Sequence, residues 1–472
     1  MKKIFCLVLA FLMILSLCAC GGGEGGDEGN SGLQVGFGRA DATPTEAVNI
    51  SGGDSKNRIS AGYRDPIMVT CVAFRTGGDT FLIYTLDYIS ASNNYTVPAE
   101  REITKATGVP AQRIIMNCTH THSGPAIAYN YDSIIAYREK FNQAAVEAAE
   151  AAIADMSGAE VYAGATETQT LVFVRHYEMD NGTFAGANYG SFSGSIKGYA
   201  YEGDTQVQVL RFVRAAQDKK DIVFISNPAH ATAVCGTDRN LLSADIAYST
   251  RDYVEKNADC HVAYFTGAAG DQVPSSRIPA EGSTEDYMLY GQRLGKYVVE
   301  LLPGLTKLEY GDMVLKTQSF TGQTIKEGLD RLADAREVAK VAEQYGNSAV
   351  QTQAAVAQYG FSSPFQATAI VARSKRGPTK TMTLNALSLG QISFVFAPYE
   401  MFSENGKFIK ENSPYDMTFV ITCSEDHQGY LPSVNGFRVQ CYESHVTAYT
   451  CGTAETLAET YVDMLTALKS GQ

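Results

Sequence analysis

The sequence predicts an α/β protein, a mixed β-sheet core flanked by helices within one large domain. Three observations predict it. Short apolar runs rich in Val, Ile, Phe and Tyr alternate with longer segments of helical spacing along most of the 472 residues, without internal repeats. Many of these runs end in polar or small-residue loops, as strands do when a sheet delivers side chains to one edge. Hydrophobic residues make up 45% of the chain, which suits a sizeable core.

The start of the chain sets the expected compartment. Met1-Lys2-Lys3 is basic, Ile4 to Ala19 is nearly unbroken apolar sequence, and Leu17-Cys18-Ala19-Cys20 closes it ahead of Gly21-Gly22-Gly23. A basic start, an apolar run too short to span comfortably and a small-residue cleavage site predict a secretory signal peptide over residues 1–19. Cysteine directly after that site resembles a bacterial lipobox and implies lipidation at Cys20; the alternative is an uncleaved membrane anchor. Residues 20–33, rich in Gly with Glu24, Asp27 and Glu28, read as a flexible tether. The expected protein is exported and held by lipid at the outer face of the cell membrane. A net charge of −13 and the lack of a basic stripe argue against nucleic acid as a partner. Oligomeric state is not legible.

The folded domain is expected over 34–472. It opens with a short strand at Val35 running into the turn at Thr43-Pro44. Met68 to Phe74 and Thr80 to Leu86 read as a hairpin about Thr76-Gly77-Gly78-Asp79. Asp87 ends the second strand, where a strand-end cap and a functional carboxylate are both open readings. Pro98 to Thr107 predicts a helix with the proline in its first turn, and Ile114 to Asn117 a strand. Ser133 to Met156 is Ala-rich with helical spacing.

Strands are expected at 160–163, 207–214, 223–226 and 262–265, with a helix over 243–257. Further helices are expected over 284–302, 325–345 and 348–359; residues 321–365, rich in Ala, Gln, Glu and Lys, resemble an inserted helical hairpin. Ile392 to Phe396 is a buried-type strand followed by a helix over 401–411. Thr418 to Thr422 is the last core strand, and the final helix is expected over 454–468. Setting aside Cys6, Cys18 and Cys20 leaves seven cysteines, which cannot all pair; Cys441 with Cys451 closing a small loop and a set of buried thiols are both open.

Candidate ligands recur where strands end. Asn117-Cys118-Thr119-His120-Thr121-His122-Ser123-Gly124-Pro125 follows the strand at 114–117. Residues i and i+2 of an extended segment project from one face, so His120 and His122 can point into one cleft. On its own the fragment also fits two surface histidines in a polar loop. His230 follows the strand at 223–226, Glu400 follows 392–396, and Tyr430 follows 418–422 after a polar loop. Two imidazoles and a carboxylate with an open position for water make a catalytic zinc set. Singly, each residue has an ordinary structural explanation: a satisfied core histidine, a helix N-terminal acid, a packed tyrosine.

The histidine stretch resembles the Thr-His-Thr-His-Ser-Gly-Pro signature of the neutral/alkaline, non-lysosomal ceramidases. Gly38-Arg39-Ala40-Asp41, Asn227-Pro228-Ala229-His230, Ala269-Gly270-Asp271, Pro398-Tyr399-Glu400-Met401-Phe402, and the twelve-residue spacing of Tyr430 and Tyr442 follow in the family's order. The resemblance implies zinc ligation by His120, His230, Glu400 and Tyr430. It implies contact with the scissile amide or its oxyanion by His122, Tyr442 and Arg175. The implied activity is zinc-dependent hydrolysis of the N-acyl bond of ceramide-like lipids by metal-activated water. Alternatives are hydrolysis of another small amide, or a lipid- or solute-binding lipoprotein that keeps the fold without turnover. Two departures stand out. The family's loop serine falls at Gly267, and no counterpart of its C-terminal β-sandwich domain is recognised.

Overall fold

The computed structural model describes residues 32–471, apart from 54, 169, 187–193, 235–238 and 279–285. Cys20, the leader over 1–19 and nearly all of the tether therefore lie outside the described residues, as does Cys235.

The core is built on two sheets. Along the nine-stranded sheet the order is Cys260–Thr266, Asp221–Asn227, Gln206–Arg214, Ser157–Glu167, Gln34–Asp41, Met68–Thr76, Asp79–Leu86, Ile114–Cys118, with Thr306–Leu308 pairing Ser157–Glu167 off this path. The two outermost pairs are parallel and the interior pairings are antiparallel. The four-stranded sheet runs Met313–Gln323, Thr379–Leu389, Ile392–Phe396, Met417–Ile421, and its last pair is parallel. This is the mixed α/β class the sequence predicts.

Period-two alternation divides each strand between two cores. Val72, Phe74, Phe81 and Ile83 join Phe212, Phe224 and Phe265 and meet Leu387, Phe394, Phe396 and Phe419 of the second sheet. The intervening Val69, Cys71, Leu82 and Tyr84 face the helices Asn93–Thr107 and Asp132–Ala154 instead. On the far side of the smaller sheet, Leu384, Val395 and Val420 pack on Leu457, Tyr461 and Leu465 of the helix Thr453–Ser470. The layers thus run helix, sheet, sheet, helix. Each fully buried Phe contributes roughly 2–3 kcal/mol of apolar transfer, so this aromatic seam is the principal glue between the sheets.

The Ala-rich helix has a packing reason. Cβ atoms on Gly36 and Gly38 would collide with the carbonyls of Ala152 and Ala148. Two glycines on the strand and small residues on the helix let the two backbones touch. Gly77 and Gly78, both at positive φ (55° and 89°), form the two-residue turn between Thr76 and Asp79.

Several expected boundaries move. The first helix begins at Asn93, so Pro98 lies inside it; the carbonyl it orphans belongs to exposed Asn94, where water can satisfy it. Residues 321–323 are strand rather than helix. The eleven-residue strands Met313–Gln323 and Thr379–Leu389 escaped detection, because their outer halves alternate polar and exposed residues without an apolar run. Between them stand three helices, Leu332–Tyr345, Val350–Tyr359 and Pro364–Lys375, where a two-helix hairpin was expected. Cys441 and Cys451 are free thiols, the first buried and the second exposed, so the proposed small disulfide loop is absent.

Candidate metal centre

Three strand–helix–strand units place the site. Their parallel strand pairs are Asp79–Leu86 with Ile114–Cys118, Asp221–Asn227 with Cys260–Thr266, and Ile392–Phe396 with Met417–Ile421. His120 stands two residues beyond the first pair's second strand, His230 three beyond Asp221–Asn227, and Glu400 four beyond Ile392–Phe396. Strand ends gather there: Thr422 N–H donates to Thr266 O at 2.9 Å, and Asn117 bridges Ser424.

The histidine loop is tightly held. Thr119 N–H donates to Leu86 O (2.9 Å), His122 N–H to Ala231 O (3.1 Å), Thr266 Oγ1 to Thr119 O (2.7 Å) and Thr121 Oγ1 to Ser243 O (2.8 Å). Gly52, at φ 87°, lies against the His122 backbone where no Cβ would fit. Arg58 Nη1 donates to His122 O at 3.1 Å. These bonds sustain a left-handed backbone at His120 (φ 60°), a conformation that costs on the order of 1 kcal/mol and clusters at functional sites.

The side chains converge. His120 Nε2 lies 3.2 Å and His230 Nε2 3.3 Å from Glu400 Oε2, while His122 Nε2 lies 3.1 Å from His120 Nε2. Donors about 2.1 Å from a common tetrahedral centre stand roughly 3.3–3.5 Å apart, so the first two separations fit one shared ion. His230 Nε2 and Glu400 Oε2 are buried and accept or donate no hydrogen bond, an arrangement that costs several kcal/mol unless something occupies the gap. His120 Nδ1 lies 2.7 Å from the carbonyl of Ile89. That carbonyl accepts a hydrogen bond from Nδ1–H, fixing the tautomer that leaves Nε2 free to ligate. Two imidazoles and a carboxylate oxygen are donors that zinc takes, so the residues present fit the ion.

Electrostatics agree with that fit. Burial alone would push the Glu400 carboxyl up, but His120 first, and the close approach of the His230 and His427 imidazoles, hold it well below the usual carboxylate range. Burial and then His120 depress His230 to about 3, and burial with both other imidazoles drives His122 well below its ordinary value. For His120 burial acts downward, yet Cys423 and Glu400 override it and raise the imidazole well above normal. Positive charge beside the Glu400 carboxylate is thus favoured at His120, where a proton or a bound metal ion can supply it, while His122 and His230 are held neutral.

Arg175 sits behind this group. Its Nη2 donates to Gly270 O (3.1 Å) and to Tyr430 OH (3.3 Å), and forms an ion pair with Glu443; Nη1 lies 3.5 Å from His230 Nδ1. Tyr430 stacks obliquely with His230 at 6.5 Å and meets Tyr442 edge-on at 5.8 Å. Tyr442 also meets Phe365, from the helix Pro364–Lys375, edge-on at 5.0 Å. All seven sequence-derived site residues therefore fall in one region, His120, His122, His230 and Glu400 at its centre and Arg175, Tyr430 and Tyr442 along one flank. Gly267 is different. A Cβ there would face Ser226 Oγ at 3.1 Å and Pro228 at 3.3 Å, with no atom of the histidines or Glu400 among its nearest neighbours.

Comparison with known proteins adds a fold. No protein-family model matches the chain, and no curated protein matches it. Among solved structures, neutral ceramidase from Pseudomonas aeruginosa aligns over 93% of this chain and 75% of its own, with a TM-score of 0.67 at 16% identity. A ceramidase complexed with C2 aligns over 93% and 76%, with a TM-score of 0.68 at 16% identity. The chain has the neutral ceramidase fold. Such identity establishes architecture, and the ceramidase-like fold accounts for the helix–sheet–sheet–helix layering and the gathered strand ends.

Sequence reading overlooked several residues around the centre of this ceramidase-like fold. His427 Nε2 lies 3.5 Å from Glu400 Oε1, and Gly429 N–H points at its Nδ1 from 3.3 Å. Cys423, at φ 57°, places Sγ 3.2 Å from His120 Nδ1. Glu443 is fully buried beside Arg175. His427 stands three residues before Tyr430 and Glu443 directly after Tyr442, so adjacency to suspected site residues was the available signal.

Proposed function

We propose that this chain is a zinc-dependent amide hydrolase that cleaves the N-acyl bond of ceramide-like lipids. The observation that carries the proposal is the convergence of His120 Nε2 and His230 Nε2 on Glu400 Oε2, with buried unpartnered acceptors between them. The neutral ceramidase fold supports the choice of a lipid amide. His120, His230 and Glu400 would hold the ion, with Tyr430 beside them. When bound, zinc activates water near neutral pH and polarises a carbonyl.

The chain's own residues supply the rest. His122, kept neutral by burial and its neighbours, can take a proton from the attacking water and return it to the leaving nitrogen. Arg175, and Tyr442 opposite Tyr430, can donate to the carbonyl oxygen as negative charge gathers there. Water adds to the carbonyl carbon, the C–N bond breaks, and a carboxylate and a protonated amine leave. Gly267 offers no side-chain nucleophile, so attack by water needs no further residue. Under this reading the chain is an exported lipoprotein anchored through Cys20 at the outer face of the cell membrane.

The test couples metal analysis with release of fatty acid from a labelled N-acyl sphingosine and from an N-acyl amino acid. Expected are about one zinc per chain, hydrolysis of the sphingosine amide, and loss of activity in His120→Ala. Hydrolysis of the amino-acid amide alone would replace the substrate class. Zinc without any turnover would favour a binding lipoprotein, and protein lacking metal after chelator-free purification would sink the enzyme reading.

A further inference from the structure

Behind the proposed catalytic flank lies a second buried polar chain. Glu443 Oε2 accepts from His176 Nε2 at 2.9 Å, and His176 Nδ1 lies 2.6 Å from Tyr201 OH. The other oxygen, Glu443 Oε1, pairs with Arg175 Nη2. Glu443 and His176 side chains are 0% exposed and that of Arg175 is 11% exposed. Arg175 then reaches Gly270 O, Tyr430 OH and the neighbourhood of His230 Nδ1. The order is Tyr201, His176, Glu443, Arg175, then the candidate metal centre. Nothing in the proposed chemistry uses the first three.

A buried carboxylate is costly unless it is paired and fully hydrogen-bonded. Here it is ionised: burial would raise it, but Arg175 and His176 bring it to about 2. Ligand atoms of His176, Cys441 and Glu443 lie within 4.8 Å of one another, close enough for a metal. That reading fits poorly, because both His176 nitrogens and both Glu443 oxygens already have partners and Arg175 supplies the positive charge.

We infer that Glu443 is a positioning residue: backed by His176 and Tyr201, it fixes the Arg175 guanidinium so that its remaining N–H groups face Tyr430 and the carbonyl oxygen of an amide substrate. The inference rests on the amide-hydrolase reading. A free arginine side chain samples many rotamers. A charge-assisted pair in a dry interior removes that freedom before substrate arrives. Glu443 touches no reacting atom and acts only through Arg175.

The experiment uses the full chain, zinc-loaded. Glu443→Gln keeps shape and removes charge; kcat on the N-acyl amide should fall about 10–100-fold, the range for outer hydrogen-bond partners of a metal site, while KM and zinc content hold. Arg175→Ala should regain activity on addition of millimolar guanidinium, and the double variant Arg175→Ala/Glu443→Gln should not. An unchanged kcat in Glu443→Gln, equal rescue in both backgrounds, or loss of a metal equivalent from Glu443→Gln would each overturn the inference. Failure of the functional reading looks different: wild-type protein holds zinc but turns over no N-acyl amide. The positioning is then read from melting, where guanidinium, compared with sodium, should stabilise Arg175→Ala only while Glu443 is intact; no such difference overturns it.

Discussion

Gly270 and Glu400 are in backbone contact: a Cβ on Gly270 would lie 2.7 Å from Glu400 O and 2.8 Å from Met401 O. Gly270 N–H donates to Met401 O at 2.7 Å, and Glu400–Met401 pairs in parallel with Tyr430–Leu431. The small-residue loop after the strand Cys260–Thr266 is thus the bed on which two candidate ligands are laid. Gly270→Ala must push Glu400 away from the histidines. Zinc affinity should weaken about 10–100-fold, as for lost outer support of a metal site. Competition with a chromophoric chelator measures it, and unchanged affinity would show that Glu400 finds its place without this contact.

Metal removal should cost stability through mass action. An ion held at 100 times its dissociation constant adds about 2.7 kcal/mol. Chelator treatment should therefore lower the melting temperature, and added zinc should restore it. In Glu400→Gln, which loses the carboxylate that His120 and His230 approach at 3.2 Å and 3.3 Å, the shift should shrink or vanish. A wild-type melting temperature indifferent to chelator would remove the metal from the argument.

Legibility followed burial. Ile392–Phe396 and Asp221–Asn227 are buried on both faces, so their apolar runs announced them, and with them the candidate ligands His230 and Glu400 just beyond. Met313–Gln323 and Thr379–Leu389 project half their length outside the core, where they alternate polar and exposed residues and carry no apolar run. Among site residues, His120 and His122 were legible through the Thr-His-Thr-His-Ser-Gly-Pro resemblance; they converge although the backbone between them is not extended, being left-handed at His120 (φ 60°). Glu443 and His427 were not, because their importance comes from Arg175 and Glu400, which lie 268 and 27 positions away in sequence. Asp87 left two readings open; it forms a buried two-bonded pair with Arg251, at 2.8 Å and 2.7 Å, and caps Met68 N–H at 2.9 Å. Its job is structural.

That pair makes its own prediction. Asp87 and Arg251 are both buried, so removing one partner leaves an uncompensated charge in the interior. Arg251→Met should destabilise the chain by roughly 3–5 kcal/mol, and replacing both by apolar residues of similar volume should cost less. Denaturant unfolding of the single variant and of Asp87→Leu/Arg251→Met checks it. A double variant no better than the single one would show that hydrogen bonding to Met68, rather than charge pairing, sets the energy.

Asp65 links stability to pH at the back of the histidine loops. Its carboxylate accepts from Ser243 Oγ and Ala244 N–H, both at 2.6 Å. Ser243 O accepts from Thr121 Oγ1, and Ser243 N–H donates to Ser123 O at 3.0 Å, tying this segment to His120 and His122. Burial raises Asp65 from 3.8 to about 7, against the downward pull of those two donors. A folded-state value above the unfolded one means the protonated fold is favoured. The contribution is therefore complete below about pH 4 and is lost as pH rises through 7. At 1.36 kcal/mol per unit the loss is on the order of 4 kcal/mol. Asp65→Asn cannot ionise, so wild-type stability relative to this variant should decline steadily between pH 4 and pH 8. Urea unfolding of both proteins across that range reads the difference, and a difference independent of pH would mean Asp65 titrates alike in folded and unfolded chains.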